Sequence, residues 1–163
     1  MNIHKKIEYL YIILASVFIA SLVSCNLIFQ KFFQIEIWVP FIGYYTFEQS
    51  VGLLPYPITF LATDILSEIY GKDKANNVVT AGLSASIFML LIVTVSDFIP
   101  MAPWSPIDSD TFHLVFGLSG AAVFASMMAY LFAQYIDIKL FHFWKKLTKG
   151  KHLWLRNNGS TIA

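Results

Sequence analysis

The sequence contains few charged residues and only one cysteine. Of its 163 residues, 13% are charged and 57% are hydrophobic, and Cys25 is the single thiol. Soluble domains carry about 25% charged residues, so this composition argues against a soluble globular protein. A lone thiol excludes an internal disulfide and any cysteine-based metal cluster. The composition therefore indicates an integral membrane protein.

Motifs for catalysis, metal binding and nucleic-acid binding are also missing. The four histidines lie outside the long apolar segments or at their edges, without ligand spacing such as His-Glu-x-x-His. The sequence has no glycine-rich phosphate loop and no Gly-x-Ser-x-Gly elbow. No basic run is combined with aromatic residues in the manner of a soluble nucleic-acid-binding domain. We therefore expect no enzymatic activity, no metal, no cofactor and no nucleic-acid partner.

The chain does contain four long apolar segments. They cover approximately 9–29, 51–70, 78–98 and 113–138, close to the length that crosses about 30 Å of hydrocarbon. A span in lipid must satisfy its backbone groups internally, so each segment is predicted to be a helix. The first is too long for the apolar region of a signal peptide, and we interpret it as an uncleaved span. The sequence predicts an all-α integral membrane protein of about four transmembrane helices, in a single membrane domain over 1–163.

The basic residues indicate how the predicted spans are oriented. Ten of the 11 lysines and arginines lie in the amino-terminal tail, in the loop 71–74 between the second and third spans, or in the segment 139–159. The positive-inside rule then places both termini in the cytoplasm. The segment 139–159 mixes lysines with aromatic residues, which suits a cytoplasmic stretch held at an anionic inner leaflet. We interpret 71–74 as a tight cytoplasmic turn, in which Gly71 ends the second helix.

Two features mark the opposite side of the predicted bundle. Residues 35–39 alternate apolar and polar side chains, and 43–47 follow a proline, which predicts a short external β-hairpin. Pro55 and Pro57 stand near the outer end of the second span, so its helix would be only ~24 Å long from Pro55 to Tyr70. Short, proline-interrupted spans mark substrate sites in transporters. A simple proline-started helix between tilted neighbours is an equally good explanation.

The second span carries two carboxylates, Asp64 and Glu68. Because they are four residues apart, their side chains project from one face of a helix. A carboxylate near the bilayer centre costs at least about 2.5 kcal/mol and is usually retained for function. For Glu68, simple solvation at the water interface is an equally good explanation, whereas Asp64 lies about one turn further inside. No basic residue lies within a span, so the carboxylates suggest proton handling or recognition of a donor-rich ligand.

Few other polar side chains lie at membrane depth. Asn26 ends the first span, Thr63 adjoins Asp64, and Gln134 and Asp137 lie near the cytoplasmic end of the fourth. Asn26 and Gln134 have a plain structural alternative, since interhelical hydrogen bonds worth about 0.6 kcal/mol are common in membrane proteins. Asp137 is expected to lie at the water interface. The candidate substrate-binding residues are Asp64, Glu68, Asn26, Gln134 and Thr63.

Residues 57–71 carry a family resemblance. They read Pro-Ile-Thr-Phe-Leu-Ala-Thr-Asp-Ile-Leu-Ser-Glu-Ile-Tyr-Gly, which resembles the signature of the queuosine precursor transporter family, also known as a vitamin uptake family. Residues 20–28, 125–137 and 149–161 are similar to further parts of that family, so that the resemblance covers nearly the whole chain. It implies a multi-span importer of 7-cyano-7-deazaguanine or 7-aminomethyl-7-deazaguanine, which are precursors of a modified tRNA base.

The resemblance also implies what the candidate residues do. A deazaguanine presents its N1–H and its exocyclic amine side by side, and a carboxylate accepts both as a bidentate pair. We therefore expect Asp64 or Glu68 to read this edge, while Asn26 and Gln134 satisfy the remaining polar atoms. The implied partners are the deazapurine substrate and the lipid bilayer of the inner membrane. Homo-oligomerisation is left open.

The chain departs from the family pattern in two places. Residues 119–122 stand where the family usually has an arginine, near the start of the fourth span. Family members are similar to six-span proteins, whereas this chain ends at Ala163, and 160–163 resemble the opening of a fifth helix. We therefore expect a chain truncated before its last two spans, and an incomplete importer. The alternative is a non-transporting membrane scaffold or assembly subunit, in which the carboxylates serve interhelical hydrogen bonding.

Overall fold

The computed structural model describes residues 3–41, 43–117 and 120–148, with side chains from 5 onward and, in the last range, from 124 onward. The predicted opening of a fifth helix at 160–163 and the similarity over 149–161 lie outside these residues. The described chain is mostly helical, with one small sheet. Its elements are α1 (Ile3–Ile28), β1 (Phe32–Val39), β2 (Gly43–Ser50), a 3-10 turn (Val51–Leu53), α2 (Tyr56–Tyr70), α3 (Lys72–Phe98), α4 (Ser109–Phe112), a π-helical segment (His113–Gly117) and α5 (Gly120–Leu147).

Two helices of the described chain are long and apolar enough to cross a membrane. They are Lys5–Ile28 and Lys72–Phe98, by length and composition alone. By contrast, α2 has 15 residues, which corresponds to ~22 Å and is shorter than the hydrocarbon core. The mostly helical class is confirmed, with two candidate membrane spans.

Four helices, α1, α2, α3 and α5, pack around one apolar core. α2 and α3 contact each other and both of the outer helices, α1 and α5. The α1–α3 interface includes Gly82, where an added Cβ would lie 2.6 Å from the Phe18 ring. A glycine there lets the two helices approach closely, as packing in lipid requires. The buried core residues include Phe18, Leu22, Leu66, Val79, Leu131 and Ile138.

The connection between α2 and α3 consists of one residue. α2 ends at Tyr70 and α3 begins at Lys72, so the predicted turn at 71–74 is shorter than expected and only Gly71 lies outside a helix. Gly71 has a φ of 83°, a left-handed value that glycine adopts without steric cost. Asp73 lies in the first turn of α3, where a negative charge is favoured.

The predicted β-hairpin is confirmed and is longer than the sequence indicated. β1 and β2 pair antiparallel over their full lengths, with Ile35 opposite Phe47 and Ile37 opposite Tyr45. Side chains alternate across a strand, so these four residues share one apolar face. The centre of the opposite face carries Gln34, Glu36, Thr46 and Glu48, and its ends carry the aromatic residues Phe32, Trp38 and Tyr44. The hairpin is therefore amphipathic at its centre only, and most of both faces is exposed.

The base of the hairpin is fastened to the end of α1. The backbone N–H of Val51 donates to the Lys31 carbonyl at 2.7 Å, and the Ser50 hydroxyl donates to the Phe29 carbonyl. Gly52 fits closely here, because an added Cβ would lie 2.7 Å from both the Cys25 carbonyl oxygen and the Phe29 Cα. The 3-10 turn is thereby held rigidly against α1.

The segment predicted at 139–159 is helical over its first part, because α5 continues to Leu147. No proline or glycine interrupts 139–147, and Lys145 and Lys146 lie in the last turn. Positive charges there are favoured by the helix dipole.

The loop between α3 and α4 is closed by a helix cap. The Asp108 carboxylate accepts a hydrogen bond from the Thr111 backbone N–H at 2.6 Å. Hydrogen bonds from the Thr111 side chain and backbone hold the pKa of Asp108 below its usual range.

Candidate functional site

A group of buried polar side chains lies between α2 and α5, and we call it the polar cluster. On α5, Tyr130, Gln134 and Asp137 follow one another at spacings of four and three, which places them on one helix face. Thr59 and Thr63 are likewise one turn apart on α2. All members of the cluster are buried: Thr59, Thr63, Asp64, Ser67, Tyr130, Gln134 and Asp137.

Gln134 is the centre of the hydrogen bonds in the polar cluster. Its Nε2 donates to the Tyr130 hydroxyl and to the Thr59 hydroxyl at 3.4 Å. Its Oε1 lies 3.3 Å from the Thr63 hydroxyl, which has nearer acceptors in the Phe60 and Thr59 carbonyls at 2.9 and 3.1 Å. The Tyr130 hydroxyl in turn donates to Thr59 at 2.5 Å, and Thr59 donates to the Tyr56 carbonyl at 2.7 Å. These contacts fix the amide and use both of its N–H groups.

Two carboxyl groups share the inner part of the polar cluster. Asp64 is 6% exposed and Asp137 is 3% exposed, and they are close enough to interact electrostatically. The expectation that Asp137 lies at the water interface is therefore wrong, because α5 turns this side chain towards α2. Two negative charges repel strongly in a low-dielectric interior. This arrangement favours a proton or a hydrogen-bond donor between the carboxyl groups.

Asp64 takes part in none of the ion pairs formed within the described ranges. One turn along α2, the Ser67 hydroxyl is buried and has no hydrogen-bond partner among the described residues. A buried hydroxyl without a partner is costly unless something else bonds to it. Asp64 and Ser67 are therefore two buried polar groups, three residues apart on α2.

The structure places Glu68 and Asn26 apart from the polar cluster. Glu68 is partly exposed, and its Oε2 lies 3.0 Å from the Lys145 Nζ. Asn26 is buried on α1 and donates from Nδ2 to the Ser86 hydroxyl at 3.5 Å. Of the five predicted site residues, the structure therefore brings together Thr63, Asp64 and Gln134. Glu68 lies at the far end of α2, and Asn26 lies near its beginning.

Asn26 lines a cavity of about 180 Å³, which we call the Asn26 cavity. The lining comes from the end of α1, the 3-10 turn, the start of α2 and the first part of α5. Tyr56 lies between this cavity and the polar cluster: its ring is 5.1 Å from the Tyr130 ring, centroid to centroid, and its hydroxyl bonds to Ser126. The lining residues are Cys25, Asn26, Phe29, Ser50, Gly52, Leu53, Tyr56 and Ser126.

Sequence reasoning misses four members of the polar cluster: Thr59, Ser67 and Tyr130 are not among the candidates, and Asp137 is expected at the interface. One signal is available in the regular spacing of Tyr130, Gln134 and Asp137 on α5. Spacing alone does not show that this face meets α2. In the described part of the chain, no group of three or more His, Cys, Asp or Glu side chains could hold a metal ion.

These features define a helical membrane protein with an internal polar site. Its long apolar helices suit lipid, and its buried carboxyl groups lie between helices rather than at an open surface. Ionisable groups in that position usually mark the path of a solute or a proton. This is the class to which solute transporters belong.

Comparison with known proteins identifies the family. A family model described as "Putative vitamin uptake transporter" matches residues 50–163, which is more than half of the chain. The chain belongs to this family, as the resemblance at 57–71 indicated. The family consists of transport proteins, which agrees with the expectation that the chain is not an enzyme.

Two curated relatives are similar over much of the chain. A "Probable queuosine precursor transporter" of Bacillus subtilis is 30% identical over 116 residues, covering 70% of this chain and 50% of the relative. A "Queuosine precursor transporter" of Escherichia coli is 25% identical over 147 residues, covering 90% of this chain and 62% of the relative. The chain thus spans about half to three fifths of the length of these relatives. No solved structure matches.

Proposed function

We propose that this chain takes part in importing 7-cyano-7-deazaguanine or 7-aminomethyl-7-deazaguanine across the inner membrane. The names of the two similar relatives support the substrate class. The observation that carries the proposal is the buried Asp64 carboxyl group, which lies beside Asp137 and takes part in none of the ion pairs within the described ranges. A neutral ligand with adjacent hydrogen-bond donors would stabilise this site by donating to the carboxylate oxygens.

The chemistry of a deazaguanine suits this arrangement. Its N1–H and exocyclic amine lie side by side, and the two oxygens of Asp64 can accept both. The Ser67 hydroxyl, buried without a partner among the described residues, can bond to a further polar atom of the base. Gln134 bonds to Thr59 and contacts Thr63 at 3.3 Å, and these contacts keep the α5 face in register with α2. In this proposal Asp64 binds the substrate, and Gln134 and Thr63 position the helices around it.

We also propose that α1, α2, α3 and α5 all cross the bilayer, with both termini in the cytoplasm. The distribution of basic residues supports this orientation. α2 is short, but the 3-10 turn directly before it extends the crossing segment from Val51 to Tyr70. The β-hairpin then lies on the outer side, together with Asn26 and its cavity. Glu68 and Lys145 lie on the cytoplasmic side.

Uptake of labelled precursor tests the proposal directly. The host is a cell that makes no queuosine precursor and lacks its own transporter, so that uptake depends on the chain. Asp64→Asn replaces one acceptor oxygen with a donor and breaks the bidentate pair, so uptake should fall about tenfold or more, which corresponds to at least ~1.4 kcal/mol. The matched control is Asp73→Asn, the same change at an exposed position, which should retain uptake.

Two results would contradict the proposal. Wild-type uptake by the Asp64→Asn variant would exclude Asp64 as the reader of the base. Absence of uptake both by the unaltered chain and by a version with the two expected spans restored, each present in the membrane at normal amounts, would favour the scaffold alternative. Membrane extracts probed with an antibody to a terminal tag measure that amount.

A further inference from the structure

We propose that the Asn26 cavity is a first binding station for a single planar bicyclic base, before the base reaches the polar cluster. The identity of the base rests on the proposed import function. The station itself rests on the shape and chemistry of the cavity. Tyr56 stands between the two positions and keeps them separate in this structure.

The size and rigidity of the cavity favour a bare base. Its volume of about 180 Å³ is below the roughly 300–1,000 Å³ of sites for drug-sized ligands. The wall is held in place, because Gly52 packs directly on α1 and the Val51 N–H bonds to the Lys31 carbonyl. The ribose of a nucleoside would have to project out of the cavity or displace this wall, and either should weaken binding relative to the bare base.

The lining chemistry suits a lactam. Asn26 uses one N–H for a long bond to Ser86, and no other hydrogen bond of its side chain occurs among the described residues. A free amide N–H and C=O can bond reciprocally to the C6 carbonyl and N1–H of a deazaguanine. Phe29 and Tyr56 contribute aromatic rings to the lining, and stacking on such rings is worth about 1–3 kcal/mol per base. The cavity therefore offers both an edge contact and aromatic faces.

Tyr56 connects the station to the polar cluster. Its hydroxyl bonds to Ser126 beside the cavity, while its carbonyl accepts from Thr59 in the cluster. Its ring lies 5.1 Å from the Tyr130 ring. In this proposal, a rotation of the Tyr56 side chain lets the base pass from the cavity towards the polar cluster. The base would then leave a neutral amide, Asn26, and meet a carboxyl group, Asp64, that binds its donor edge more strongly.

Equilibrium dialysis tests the station separately from transport. The chain is purified into lipid nanodiscs and dialysed against tritiated 7-cyano-7-deazaguanine, in an Asp64→Asn background that removes the second position. Binding should persist in Asp64→Asn and weaken about tenfold when Asn26→Leu is added. The matched control is Ser86→Ala, which removes the partner of Asn26 without altering the cavity lining, and should retain binding.

Protection of the single cysteine, Cys25, from chemical modification can show where the base binds. Cys25 lines the cavity, so the base should slow its modification by N-ethylmaleimide several-fold, whereas the corresponding nucleoside should not. Cys25 is buried, so a second reporter is placed at an exposed position. This reporter is Ser126→Cys in a Cys25→Ala chain. Equal protection by base and nucleoside, or no protection by the base at either reporter, would overturn the station.

The outcomes separate the two proposals. Suppose that uptake depends on Asp64. The station alone would then be overturned if the Asp64→Asn chain binds no base, or if adding Asn26→Leu to that chain leaves base binding unchanged. Binding that depends on Asn26, in a chain that supports no uptake even with the two expected spans restored, would overturn the import function and support the station.

Discussion

His142 lies among charged side chains where the ends of α2 and α5 meet the start of α3. Its Nε2 is buried without a hydrogen-bond partner in the described ranges. Burial lowers the pKa of His142, and the positive charges of Lys145 and Lys72 lower it further, while Glu68 and Asp73 act in the opposite direction. The fold therefore favours the neutral imidazole.

This environment predicts a loss of stability in mild acid. The pKa of His142 is lower in the folded chain than the unfolded value near 6.5. Its contribution to the free energy of unfolding is therefore fully present above pH 6.5 and is lost as the pH falls from there through the folded pKa. Between about pH 7.5 and 5.5, the thermal unfolding midpoint in detergent should fall more for the wild-type chain than for His142→Gln. Parallel pH profiles for the two chains would show that His142 does not contribute.

Asp64 and Asp137 show how far single residues can be understood from sequence. Asp64 can be identified from sequence because a carboxylate within an apolar helix is costly wherever the helix faces. Asp137 stands near the end of an apolar run beside Lys139, a position equally consistent with exposure to water. Its burial depends on which side of α5 meets α2, and that is a tertiary property. The pairing of the two carboxyl groups therefore required the structure.

Gly82 sets the distance between α1 and α3. An added Cβ would lie 2.6 Å from the Phe18 ring and 3.1 Å from the Leu22 side chain, and both residues are buried. Gly82→Leu should separate the helices and lower the free energy of unfolding by about 1–3 kcal/mol, as overpacked cores do. Ala81→Leu adds three carbons at the neighbouring exposed position and should be nearly neutral.

The measurement for this pair is unfolding in detergent, followed by circular dichroism. Equal stability of the Gly82→Leu and Ala81→Leu chains would show that the α1–α3 contact does not limit stability.

Local patterns predict several of the elements. The alternation at 35–39 indicates the hairpin, because a two-residue period places its apolar side chains on one face. The same kind of pattern does not show that α3 starts directly after Gly71, since Lys72, Asp73 and Lys74 also suit a turn. There, the packing of Ala75, Val78 and Val79 in the core outweighs local preference. Helix continuation to Leu147 is likewise hidden by the basic and aromatic composition of 139–147.

The orientation of the whole molecule is open to a direct test. Single cysteines are placed at two exposed positions in a Cys25→Ala chain, Tyr44→Cys on the hairpin and Asn77→Cys near the start of α3. A membrane-impermeant maleimide added to intact cells should label Tyr44→Cys and should leave Asn77→Cys unlabelled until the cells are permeabilised. The reverse pattern, or labelling of both, would contradict the proposed orientation.

At the scale of the molecule, composition predicts the class and the motif at 57–71 predicts the family. How the helices are arranged could not be predicted, because apolar periodicity in lipid does not distinguish a face that meets protein from one that meets lipid. The site shows the consequence. Sequence reasoning groups Asn26 and Gln134 as helpers of one carboxylate. In the structure, Gln134 bonds to Tyr130 and Thr59, whereas Asn26 bonds to Ser86 and lines a separate cavity.

The single-residue corner at Gly71 also limits how the molecule can move. Because only Gly71 connects Tyr70 to Lys72, the end of α2 cannot shift without displacing the start of α3. A motion that parts this end of α2 from α5 must therefore carry the start of α3 along, turn the two helices about Gly71, or unwind the last turn of α2. The ion pair between Glu68 and Lys145 joins this end of α2 to α5, so a motion that parts the two helices would break it.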